Sequence, residues 1–302
     1  MQRIKILEII LLKFSFLVLK IMRSNILKAI LKLSNQIQRE LPETEMTSNR
    51  IQYVGNSLEE YIRNAFLDEE QQVNSTFSYL GAKNSPPDLI LRDGDAIEIK
   101  KLEGAGEIQL NSSFPKQHVK HNDSKLNLEA QNCETQPWQK DLIYTVGHVP
   151  RGTNQVQNLW FVYGDCYADK ESKYLQLFRD IQTSVSSTEG VNFSPTEELG
   201  RVNNCDSQSN TNLRIRGMWL LKHPTKVFTG LPPIRSPGIY AIMKNEKYNS
   251  FPEEDRIAIE EHRDISIVHN FSIPNPEQED DNLVVTLVSF MNVDTNLRQI
   301  SL

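Results

Sequence analysis

Three residues in this chain could act together on a phosphate: Asp88, Glu98 and Lys100. Pro87-Asp88 is followed by nine residues and then by Glu98-Ile99-Lys100, the pattern PD…(D/E)xK. Residues two apart on a strand share a face, so Glu98 and Lys100 point one way while Ile97 and Ile99 point the other, into a core. If Asp88 opens a preceding strand and the chain turns back antiparallel, two carboxylates converge at the open end of a hairpin. Mg²⁺ suits that supply, because it takes one or two carboxylates and completes its shell with water and phosphate oxygens. Such a metal polarises a scissile phosphate and lowers the pKa of a bound water. Lys100 beside it would orient that water and balance the developing charge. The alternative is an ordinary hairpin with a surface Glu–Lys pair, since the bare pattern recurs by chance.

The flanking elements support the hairpin. Asn84-Ser85-Pro86-Pro87 cannot be helical. A short strand is expected over 88–91, a turn with the Asp-Gly signal over Arg92-Asp93-Gly94-Asp95, and a second strand over 96–102. Upstream, a helix from about 57 to 67 is expected, capped by Asn56 or Ser57, with Leu58, Tyr61, Ile62, Ala65 and Phe66 on its apolar face. It carries Glu59 and Glu60 and can offer a further carboxylate. Residues 22–41 read as a helix ended by Pro42, 42–50 as a polar linker, and 77–80 as a short apolar segment. Further strands are expected over 141–149, 159–163, 214–221, 238–243 and 284–292, and a helix over 169–185. The Ser-, Asn- and Thr-rich stretch 186–212 reads as loop. There is no internal repeat.

Composition narrows the class. Of 302 residues, 38% are hydrophobic and 24% charged, as in soluble globular chains. This length allows two domains or one large α/β domain, and buries a core without disulfides or structural metal. Cys133, Cys166 and Cys205 show no CxxC spacing, which argues against a zinc site or a disulfide scaffold and fits a reducing cytoplasm. No GxxxxGK[ST] is present, so no P-loop. His118 and His121 lack further ligands in sequence, and no His/Asn block suggests an HNH nuclease. Trp138, Trp160 and Trp219 are expected in or near the core, and Asp165 in a turn.

Charge is uneven. The net is −6, yet 201–247 holds eight Lys/Arg against two acids, and 248–302 holds three Arg against eleven Asp/Glu. Such asymmetry reads either as differently solvated faces or as a basic surface for a polyanion beside an acidic tail. The N-terminal stretch 4–22 is apolar and long enough for a membrane span, but Lys5, Glu8, Lys13 and Lys20 interrupt it. No membrane role is expected. The stretch reads as an amphipathic helix packed on the body, or as an upstream extension with Met22 as the start.

Longer blocks carry a resemblance. NSPPDLILRDGDAIEIKKLE, LNSSFPK at 110–116, DLIYTVGHVP and LWFVYGDCYA resemble the NgoPII-type family of type II restriction endonucleases, in the PD-(D/E)xK nuclease superfamily. LRIRGMWLLKHPTKVF at 213–228 resembles the distal block of that family. The resemblance runs from about residue 50 to 230, with Met22 as its outer bound. It implies an α/β fold with a restriction-endonuclease-like core, a mixed central sheet flanked by helices. It implies Mg²⁺-dependent cutting of double-stranded DNA at a short palindrome, GGCC in this group, leaving 5′-phosphates. Asp88, Glu98 and Lys100 match the catalytic triplet, and Glu59 matches the helix acid, with Glu60 adjacent. The implied metal ligands are Asp88, Glu98 and the backbone carbonyl of Ile99.

A G·C target would be read elsewhere. Guanine offers N7 and O6 in the major groove, and Arg or Lys is the usual bidentate partner. Arg201, Arg214 and Arg216 in the basic stretch are the candidates, with Asn203 and Asn204 as polar helpers. Lys116 is a candidate phosphate contact near the cut. A palindrome implies two symmetric sites, hence a homodimer, and a cytoplasmic enzyme of this kind implies a cognate DNA methyltransferase as genetic partner. Three regions are expected: an N-terminal helical segment 1–45, a catalytic core 46–185, and a DNA-recognition and C-terminal region 186–302 of the same domain. The rival functions are a structure-specific repair or recombination nuclease on the same core, and a non-catalytic DNA-binding regulator.

Overall fold

In the computed structural model the described residues are 23–36, 40–41, 53–67, 73–81, 86–110, 113–232 and 237–291. The apolar stretch 4–22 and the polar linker 42–50 lie outside them, so the readings made of both do too. Among the described residues no helix is long and apolar enough to cross a membrane.

The first half of the chain runs α1 (Ile26–Ser34), α2 (Tyr53–Phe66), α3 (Val73–Thr76), β1 (Phe77–Leu80), β2 (Leu89–Leu91), β3 (Ala96–Leu102), β4 (Ile108–Leu110), β5 (His118–Lys120), α4 (Leu128–Gln131), β6 (Gln139–His148) and β7 (Asn158–Tyr163). The second half runs α5 (Glu171–Ser186), β8 (Asn192–Pro195), β9 (Leu199–Asn203), β10 (Leu213–Arg216), β11 (Trp219–Leu221), α6 (Pro224–Val227), β12 (Gly238–Lys244), α7 (Asn245–Ser250), α8 (Glu253–Glu260), β13 (Ile265–Pro274) and β14 (Asn282–Met291). A mixed nine-stranded sheet organises them in the order β1-β2-β3-β6-β7-β12-β14-β13, with β5 also on β6. Strands β3 and β6 are parallel, as are β7 and β12, and the other pairings in this sheet are antiparallel. The central strands β7 and β12 are buried almost throughout, which is why they read as continuous apolar runs.

Register assigns the two faces of this sheet. Glu98 pairs with Tyr144 and Lys100 with Val146, so these four share one face. Ile97 and Ile99 lie on the other, with Ile143, Gly147 and Phe161. Helix α2 packs there: Leu58 sits over Gly147, where a Cβ would come within 2.6 Å of Leu58 Cδ2, and Phe66 meets Phe161 edge-on at 6.5 Å. Asn25 caps α1 by accepting from the N–H groups of Leu27 and Lys28, and its amide donates to Asp255 of α8 at 2.6 Å.

Several boundaries differ from expectation. The helix expected over 22–41 ends at Ser34, because Asn35 already caps it, not at Pro42. Helix α2 starts at Tyr53, so Asn56 and Ser57 lie inside it rather than capping it. The stretch 186–212 is not loop: β8 and β9 pair with β10 in a separate three-stranded sheet. The strand expected over 214–221 is two strands with different partners, since β10 joins β9 while β11 pairs with β4. In the hairpin turn Asp93 takes the left-handed conformation (φ 54°), while Gly94 is held close to Leu91.

Candidate active site

The site is built on β2 and β3. Leu89 pairs with Ile97, so Asp88, one residue before β2, comes alongside Glu98. A backbone contact fixes it further: the Gly81 N–H donates to the Asp88 carbonyl at 2.7 Å, and a Cβ at residue 81 would run into the Asp88 backbone at 2.9 Å. The Asp88 carboxylate then accepts the Ile99 N–H at 2.6 Å. Strand β3 keeps Glu98 and Lys100 on one face, and Lys100 Nζ donates to Glu98 Oε1 at 2.5 Å and to the Ile99 carbonyl at 3.2 Å. The ammonium thus bridges two oxygens expected to ligate a metal.

Electrostatics bind these groups to Glu59. Burial, with the Glu98 carboxylate beside it, pushes Asp88 up to about 7. Burial also raises Glu59, with Lys100 opposing and Glu98 adding to the rise. Burial alone would lower Lys100, but the Glu98 and Asp88 carboxylates more than offset it and hold the ammonium above its ordinary range. Of the two adjacent acids on α2, Glu59 is therefore the one coupled to the site, while Glu60 lies 3.8 Å from Arg63. Among the described residues no group of three or more His, Cys, Asp or Glu side chains is placed to hold a metal by itself. The donor set is all oxygen and short of a full shell. It fits Mg²⁺, which keeps several waters and takes phosphate oxygens.

The other candidates fall into two places. Lys116 lies within electrostatic reach of Glu98, but its ammonium is paired with Asp123 and mostly buried. Arg201, Asn203, Arg214 and Arg216 share one face of the β8–β10 sheet, with Arg201 directly opposite Arg214. Both Arg214 and Arg216 contact Glu198 Oε2, the latter at 3.2 Å. Asn204 follows the strand in a left-handed turn (φ 54°), where its N–H donates to the Asn212 side chain. His118 Nδ1 lies 3.1 Å from Asp141, and Asp165 forms an ion pair with Lys244 at 3.2 Å. Sequence reasoning missed Tyr144, Asp123 and Glu198. Period-two alternation put Tyr144 on the Glu98 face, but its partner is 28 residues away.

A mixed sheet flanked by helices, with Asp88, Glu98 and Lys100 on its β2–β3 hairpin, is a restriction-endonuclease-like core. The family model described as NgoPII restriction endonuclease matches residues 24–274. The type II restriction enzyme NgoPII of Neisseria gonorrhoeae is 36% identical over 265 residues, covering 83% of this chain and 94% of that relative. The chain belongs to the NgoPII restriction endonuclease family. No solved structure matches it.

Proposed function

We propose that this chain is a Mg²⁺-dependent type II restriction endonuclease that hydrolyses both strands of a short palindrome, GGCC, and leaves 5′-phosphates. The observation that carries the chemistry is the meeting of Asp88, Glu98 and Lys100 on the β2–β3 hairpin, where Asp88 accepts the Ile99 N–H and Lys100 donates to Glu98, with Glu59 in electrostatic reach. Asp88, Glu98 and the Ile99 carbonyl would hold the metal, which when bound polarises the scissile phosphate and acidifies a water. Lys100 Nζ, which donates to Glu98 and to the Ile99 carbonyl, would hold that water and balance charge on the phosphate oxygens. Glu59 adds a second acid on the α2 side, able to take a proton from the attacking water. The Arg201, Arg214 and Arg216 face supports guanine readout, with Asn203 and Asn204 beside it and Lys116 toward a phosphate near the cut. The palindrome supports a homodimer, and a cytoplasmic enzyme of this kind needs a cognate DNA methyltransferase to protect its host.

The test is a digest of unmethylated phage DNA with Mg²⁺, against an EDTA control and a Lys100→Ala protein. Discrete bands lost in both controls, with ends mapping to GGCC, are expected. Smearing, or activity confined to junctions and flaps, would favour a structure-reading nuclease. A DNA shift without scission would favour a regulator.

A further inference from the structure

The hydroxyl of Tyr144 makes a contact that the chemistry above does not use. Tyr144 pairs with Glu98 across β3 and β6 and shares its face. It is fully buried, with its ring packed edge-on against Tyr167 at 5.8 Å. Its hydroxyl accepts the Lys116 N–H at 2.7 Å and donates to the Lys116 carbonyl at 3.2 Å. One side chain thus satisfies both backbone groups of one residue, 28 positions away in sequence.

The same segment is clamped from a second direction. Gly164, just after β7, approaches it so closely that a Cβ there would lie 2.3 Å from the Lys116 carbonyl oxygen and 2.8 Å from Gln117 Cα. Gln117 is fastened in turn: its amide donates to the Ala168 carbonyl and to Glu277, and its carbonyl accepts the Leu142 N–H. Beyond Lys116 the chain enters β5 and pairs with the start of β6. Before it, Phe114 stacks on Tyr174 at 5.8 Å. The Lys116 ammonium is held over Phe114 and against Asp123, on the Glu98 side of the sheet.

We infer that Tyr144 is a positioning residue: its hydroxyl, with Gly164 opposite, sets where the Lys116 backbone crosses the catalytic face, and so where its ammonium, exchanging Asp123 for DNA, meets the scissile phosphate. The inference rests on the nuclease reading above. A shift of about 1 Å in a positioned group can cost roughly 10²-fold in rate. Tyr144→Phe removes the oxygen and keeps the ring. It should lower single-turnover cleavage by about 10-fold or more while changing KM little. Gly164→Ala, which displaces the same backbone from the other side, should act in the same direction.

The controls separate this from a loss of fold. Tyr167→Phe removes another buried hydroxyl, one that donates to the Lys222 carbonyl without touching Lys116. It should lower the melting temperature to a similar degree and leave the rate unchanged. In a Lys116→Met background, Tyr144→Phe should cost less than about 2-fold further, because residues acting as one unit are not additive. The proposal is overturned if Tyr144→Phe cleaves within twofold of wild type, if its loss appears as a KM rise, if Tyr167→Phe loses rate equally, or if its effect multiplies in full with Lys116→Met. A wild-type protein that does not cut would instead overturn the nuclease reading itself.

Discussion

Asp88→Asn should make the metal-free protein more stable while making it inactive. The Asp88 carboxyl is buried beside Glu98 and Glu59, and these neighbours with burial raise it to about 7. An ordinary aspartate titrates near 4, so ionising Asp88 in the fold at pH 8 costs about 4 kcal/mol at 1.36 kcal/mol per tenfold change in proton affinity. The sign follows from linkage. A carboxyl raised in the fold binds its proton more tightly there than in the unfolded chain, so stability falls as pH rises from about 4 to about 7. The full penalty is present above that window and absent below it. Asparagine cannot ionise, and its amide oxygen can still accept the Ile99 N–H that Asp88 accepts. The assay is urea unfolding in EDTA at pH 5 and pH 8 for both proteins. The variant should gain about 2–4 kcal/mol over wild type at pH 8 and less than half as much at pH 5, which lies inside that window. Adding Mg²⁺ should stabilise wild type in proportion to ln(1 + [Mg²⁺]/Kd) and leave the variant unmoved. If the variant is no more stable at pH 8, or if the gain is equal at both pH values, the buried acid pair is not the source of the strain.

Other substitutions probe the rest of the fold. Lys100→Ala should lower kcat by about 10²–10³-fold while leaving the DNA gel shift in place. Lys247 lies 2.5 Å from Asp95 and 2.7 Å from Asp141, and Asp95 is buried and also accepts the Tyr163 hydroxyl, so Lys247→Ala should cost about 3–5 kcal/mol in urea unfolding without changing the rate of the folded enzyme. Gly147→Ala should cost about 1–3 kcal/mol by forcing Leu58 off the sheet. Glu198→Gln frees Arg214 and Arg216 from their shared carboxylate, and should tighten non-specific DNA binding and steepen its dependence on log salt by roughly 1–2. An unchanged slope would place those arginines away from DNA.

Legibility followed the kind of physics involved. Strand β3 was readable to the residue, because Ile97 and Ile99 alternate with Glu98 and Lys100 and the core takes one face only. The apolar face of α2 was equally plain, and Leu58, Tyr61, Ile62, Ala65 and Phe66 are all buried. The β8–β9 part of the small sheet was hidden by composition. It rests one face on α5, so it needs few apolar residues, and most of its side chains stay exposed or half-exposed. A bulge with Asn270 at φ 58° interrupts the alternation of β13 and masked that strand. The contacts of Tyr144 and Gly164 with Lys116 depend on which loop the sheet brings past them, and no local rule reports that.

At β3 the two faces of the large sheet divide the labour, although farther into the sheet the apolar core lies on both, with Val146, Trp160 and Tyr240 buried on the Glu98 side. On the Ile97–Ile99 face, α2 covers β3 and its neighbours with apolar side chains such as Leu58 and Phe66. Around Glu98 and Lys100 the chain breaks ordinary rules: the buried Asp88 carboxyl is raised to about 7, Glu59 of α2 lies half-buried within electrostatic reach, and a lysine compensates both. Such an arrangement destabilises the protein alone, and a bound dication would relieve it by supplying the positive charge that the three carboxyl groups lack. The three-residue β2 belongs to the same logic. Because β2 starts only at Leu89, its ladder with β3 does not extend to Ile99, and the Ile99 N–H is bonded instead by the Asp88 carboxylate, beside the two groups with which it acts.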